Sequence, residues 1–115
     1  MEIEIKKGKR KIKIPVVKTG FFRRGIGLMF RNKGTKNLLF EFTRDIRIAI
    51  TSWFVFFPFL IIWLDSKNTV VEFKIVEPFT FKLTPKKKFR KFIEIPINAK
   101  NMEKIDFFVG KRRKI

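Results

Sequence analysis

The chain opens MEIEIKKGKRKIKIPVV, in which Ile3 and Ile5, then Ile12 and Ile14, alternate with charged residues on either side of Gly8. A period of two puts the isoleucines on one face of an extended chain, so the pattern predicts two strands joined as a hairpin. The recurring charges leave no uninterrupted apolar stretch of the kind an export signal needs. From Thr19 to Phe30, apolar Phe22, Ile26, Met29 and Phe30 fit one or two helical turns broken by Gly25 and Gly27. RNKGTKN then reads as a loop, and NLLFEF and DIRIAIT as two short strands separated by Thr43 and Arg44.

The pattern changes at Ile48. From there to Leu64 run seventeen residues without a charge, including WFVFFPFLIIWL. As a helix this run would be about 25 Å long against a hydrocarbon core of about 30 Å. Pro58 falls within it, and its Phe, Val, Ile and Trp residues favour strands outside lipid. The next residues, Asp65, Ser66, Lys67 and Asn68, separate it from the β-prone TVVEFKIV, which is a hairpin pattern that a membrane helix could not begin. The expectation is therefore two buried strands, Trp53 to Phe57 and Phe59 to Leu64, with Pro58 between them, and no membrane span. Beyond Glu77 the order expected is an extended piece through PFTFKLT, a basic loop, a strand from Phe89 to Ile95 and a short helix near Ala99 to Ile105. No repeat or linker divides the chain. Residues 1–115 read as a single β domain with a short basic tail from about 110 to 115.

Composition adds a constraint on partners. Lys and Arg total 28 against 10 acids, a net charge of +18 on 115 residues. Such a load repels itself unless counter-ions or a polyanion neutralise it. Cys, His and Tyr are absent. This removes disulfides, thiolate metal sites and most neutral-pH acid–base chemistry, and makes the cytoplasm the default compartment. The lack of Gln as well, beside abundant Lys, Ile and Glu, fits a heat-adapted source, in which case part of the lysine count is compositional habit.

Six short motifs occur in one order: GLMFR at Gly27 to Arg31, LLFEF at Leu38 to Phe42, FVFFP at Phe54 to Pro58, IIWLD at Ile61 to Asp65, VVEFK at Val70 to Lys74 and IEIP at Ile93 to Pro96. With VGK at Val109 to Lys111, where V-G-D is usual, the chain resembles domain-of-unknown-function family 192, of bacteria and archaea. The resemblance implies a compact, mainly β, jelly-roll-like β-sandwich or partly closed barrel with one or two short helices, and brings no established reaction. Archaeal members similar to this one often carry a His and an Asp flanking the F-F-V-x-F-P motif. Here those positions are Thr51 and Leu60, so both ionisable groups are gone.

Among candidate chemistries, the ten acids lie mostly in charge-alternating strands, where a solvated strand face is expected, and Asp65 reads as a turn former. No metal or cofactor is implied, and GIG at Gly25 to Gly27 reads as a tight turn. The basic clusters stand out. They are Lys6, Lys7, Lys9, Arg10, Lys11 and Lys13; Lys86, Lys87, Lys88, Arg90 and Lys91; and Lys111, Arg112, Arg113 and Lys114, with Arg23 and Arg24 as a fourth. Cations on loop tips reach a phosphate backbone without desolvation, so clusters gathered on one face would form a nucleic-acid surface. The Phe residues within FKLTPKKKFRKF read either as base-stacking groups or, more commonly, as core. The expectation is a non-enzymatic RNA-binding protein, a ribosomal or ribonucleoprotein component with ribosomal RNA and neighbouring subunits as partners. The alternative is a small-ligand or protein-binding sandwich whose charge is incidental.

Overall fold

The computed structural model describes residues 1–19, 36–50, 56–79 and 82–110. Strands β1 (Glu2–Lys7) and β2 (Arg10–Pro15) form the expected hairpin, with Ile3 opposite Ile14 and Ile5 opposite Ile12. Its turn needs a left-handed residue, which Gly8 supplies at φ 64°. The larger sheet contains β3 (Val17–Thr19), β4 (Leu38–Ile46), β5 (Phe59–Leu64), β6 (Val70–Val76) and β7 (Phe89–Pro96) in the order β3-β4-β7-β5-β6. All neighbours are antiparallel except β3 and β4. A 3-10 turn at Ala99–Asn101 leads into helix α1 (Met102–Val109).

The period of two explains the packing. Leu39, Leu60, Ile62, Ile93 and Ile95 project to one side of the larger sheet, where they pack with Ile3, Ile5 and Ile14 of the hairpin and Ile105 and Phe108 of α1. Phe40, Ile61, Trp63 and Phe92 project to the other, joined by Phe57, Ile50 and Leu83. The protein is thus mainly β, a sandwich of two sheets with a short helix. β5 is the centre of both clusters, buried at every position, which is why its sequence is a continuous apolar run rather than an alternation. No helix among the described residues is long and apolar enough to cross a membrane.

Several expectations need correction. NLLFEF and DIRIAIT do not form two strands. β4 continues to Ile46, with its pairing to β7 interrupted between Glu41 and Ile46, and Ile50 makes only an isolated bridge with Leu83. Both backbone bonds of that bridge are 2.7 Å, so the extended piece after Glu77 serves as its partner. Of the strand expected from Trp53 to Phe57, only Phe56 and Phe57 are described, and they form no strand. Pro58 follows immediately and cannot donate to a ladder; its carbonyl instead accepts from Ile97 N at 3.1 Å. The helical turns expected from Thr19 to Phe30, the RNKGTKN loop and the GIG turn lie outside the described residues but for Thr19, Lys36 and Asn37, and so do residues 111–115 of the basic tail.

The turn after β5 shows how one residue sets an element boundary. Asp65 Oδ1 accepts from Lys67 N at 2.8 Å and Thr69 N at 2.9 Å, and Asp65 O accepts from Asn68 N at 3.1 Å. Asn68 takes φ 64°, a conformation Asn tolerates. Replacing Asp65 with Ala leaves two backbone donors without this acceptor. We expect a loss of about 1–2 kcal/mol, measured by urea denaturation against the parent chain.

Candidate nucleic-acid interface

Strand direction decides which loops meet. Ile46 pairs with Phe89, and Leu64 pairs with both Lys91 and Val70. β4 and β5 therefore end where β6 and β7 begin, and the turn at 65–69 and the loop at 85–88 share one end of the sheet. The hairpin tip arrives at the same end, because Lys6 N donates to Asn68 O at 2.9 Å and Lys6 bridges Thr69. Two further bonds fix the loop: Arg47 Nε donates to Pro85 O, and Lys86 N donates to Glu72 Oε1, each at 2.8 Å. Two clusters nearly eighty positions apart in sequence (Lys6 to Lys13 and Lys86 to Lys91) are thereby brought to one end of the sandwich.

The side chains at this end divide into two groups. Some cations complete the fold. Lys7, half-buried, and Arg10, exposed, lie on the strand face that carries the Ile3, Ile5 and Ile14, Ile12 series, and they cover Phe73 at 5.6 Å and Phe107 at 4.3 Å. Arg90 pairs with Asp45 at 3.0 Å, and Lys91 Nζ donates to Asn68 Oδ1 at 2.6 Å while lying 3.9 Å from Glu41. Lys6 is half-buried. The second group is Lys9, Lys11, Lys86, Lys87 and Lys88, exposed and without an ion pair among the described residues. Lys67, exposed in the turn between these clusters, belongs with them. A lone lysine in a turn carries no linear signal, and only the bond between Lys6 and Asn68 reveals its place. Lys13 stands back from the tip, opposite Glu4. Arg23, Arg24, Lys111, Arg112, Arg113 and Lys114 lie outside the described residues.

Neighbouring features narrow the surface further. An open groove of about 420 Å³ runs beside β1, but Glu2, Glu4 and Glu41 line it with Lys6, Lys67 and Lys91, so its charge is balanced. A phosphate backbone finds its unopposed cations at the loop tips instead. The Phe residues of FRKF are core, not stacking platforms: Phe89 is 1% and Phe92 0% exposed. The acids also depart from expectation at Glu94, which is buried within β7 rather than solvated.

A β-sandwich with a lysine-rich end, built on one five-stranded sheet and one hairpin, is the class of protein these features define. The chain belongs to domain-of-unknown-function family 192, described as "Uncharacterized ACR", whose model matches residues 2–115. Two solved structures share the fold. One, a "putative transcription regulator" from Sinorhizobium meliloti 1021, is 17% identical over 89% of this chain and 81% of its own, with a TM-score of 0.71. The other, a protein of unknown function from Novosphingobium aromaticivorans DSM 12444, is 14% identical over 89% of this chain and 76% of its own, with a TM-score of 0.69. At such identities the likeness is one of fold alone. No curated protein matches the sequence.

Proposed function

We propose that the protein is a non-enzymatic RNA-binding protein of the cytoplasm, a small component of a ribosomal or other ribonucleoprotein particle, held by phosphate contacts from its lysine-rich end. The observation that supports this reading is the meeting of the hairpin tip with the 85–88 loop across the 65–69 turn, through the Lys6 to Asn68 bond and the Lys86 to Glu72 bond. Exposed lysines held by backbone geometry, with their ammonium groups still in water, lose little on meeting a phosphate and release its counter-ions. Such contacts follow the shape of the backbone and carry little sequence information.

The direct test is fluorescence anisotropy with unrelated RNAs over a range of salt. With roughly six phosphate contacts at about 0.7 counter-ions each for single strands, affinity should fall by more than two decades between 50 and 200 mM salt. A binding constant that is flat with salt, or that depends strongly on RNA sequence, would contradict the reading.

A further inference from the structure

At the end of the sandwich opposite the lysine-rich loops, a cavity of about 320 Å³ opens between the end of β2, the start of β3 and the segment entering α1. Its described lining includes Lys36, Lys100 and Lys104 and no acidic side chain. Two buried asparagines stiffen the wall. Asn101, 4% exposed, donates from Nδ2 to Pro96 O at 2.8 Å, and its backbone N–H donates to Asn98 Oδ1 at 3.0 Å. Asn37, 5% exposed, donates from Nδ2 to Pro15 O at 2.9 Å. That bond fixes which end of the amide is oxygen, and Asn37 Oδ1 is buried with no hydrogen-bond partner among the described residues.

Three lysines around one opening, with no carboxylate among its described lining, call for an anion with several oxygens. A phosphate meets this requirement better than a carboxylate, having two charges and more acceptors to share. The volume is at the lower end of small-molecule sites, about 300–1,000 Å³, which suits a compact metabolite.

We propose that this cavity binds a small phosphorylated metabolite. Its phosphate is held by Lys36, Lys100 and Lys104. The residues are distinct from those of the lysine-rich end, so either reading can fail alone.

The test is calorimetric titration of the full chain with ribose 5-phosphate, with ribose alone in parallel. The Asn37 side-chain amide is followed by ¹⁵N NMR. Ribose 5-phosphate is expected to saturate one site and shift the Asn37 amide resonances, and ribose to give no saturable heat. Because Asn37→Leu risks unfolding, the working variant is Lys36→Glu/Lys104→Glu, two solvent-accessible rim substitutions. It should weaken binding about tenfold or more, as expected for losing charge-assisted hydrogen bonds. Lys86→Glu/Lys87→Glu/Lys88→Glu should leave the affinity unchanged. Absence of saturable binding to the parent chain would overturn the proposal, as would equal weakening by the two variants, which indicates general charge attraction. Competition by a 5′-phosphorylated RNA, but not by its unphosphorylated twin, would assign the cavity to an RNA end and overturn the metabolite reading.

Discussion

Replacing Lys86, Lys87 and Lys88 together with Glu is expected to lower affinity for unrelated RNAs by about a hundredfold at 0.1 M salt. The plot of log affinity against log salt should flatten by about two units, taking about 0.7 counter-ions for each of three lost single-strand contacts. The loss should be similar for every RNA tried, because these contacts position the backbone without reading bases. The fold should survive. All three side chains are exposed, and the bond from this loop to Glu72 is made by the Lys86 backbone N–H, which Glu also possesses. Lys9→Glu/Lys11→Glu should act in the same direction through the hairpin tip. Arg10 is better left in place there, since its guanidinium covers Phe107 and its loss would mix packing with charge. Anisotropy titrations beside the melting temperature of each variant separate the two effects. Unchanged affinity in folded variants of both loops would leave the lysines as composition only.

The second large effect concerns stability. Phe92 is fully buried in β7, stacked on Phe40 at 4.5 Å between centroids and edge-on to Phe89 at 5.9 Å. Its backbone pairs with Phe40 of β4 and Trp63 of β5, so the ring sits where three central strands meet. Phe92→Ala removes that ring from a site whose neighbours are held by two ladders and cannot close in fully. The expected cost is about 3–5 kcal/mol, a large part of the about 5–15 kcal/mol that holds an ordinary domain together. Phe42→Ala, on the same strand face but half-buried, should cost clearly less. Urea denaturation of the two variants measures the contrast, and equal losses would contradict the packing described.

The elements that could be read from the sequence are those where one local rule acts alone. The hairpin followed from strict alternation about Gly8, and the turn at 65–69 from an Asp that caps its own backbone. Phe59 to Leu64 was legible because a strand buried on both faces has no polar positions. The end of β4 was not. Thr43 and Arg44 look like a break because they are polar, yet they continue a strand whose pairing is interrupted there, and burial at that strand end no longer enforces alternation. At the candidate interface the clusters themselves were visible in the sequence. Their division was not: Lys7 and Arg10 differ from Lys9 and Lys11 by the Phe73 and Phe107 rings they cover, and Arg90 and Lys91 only by having Asp45, Asn68 and Glu41 across the sheet. Long-range pairing supplies those distinctions. The same holds for the cavity at the far end, whose asparagines and lysines come from segments some sixty residues apart.

Hydrogen–deuterium exchange with and without a generic single-stranded RNA tests the central claim most directly. The proposal predicts slowed exchange in three separated segments at once, around 6–11, 65–69 and 85–91, with little change at 97–104 on the opposite end. Protection confined to 97–104, or protection of only one of the three segments, would contradict a single RNA-binding face built from the hairpin tip and the 85–88 loop.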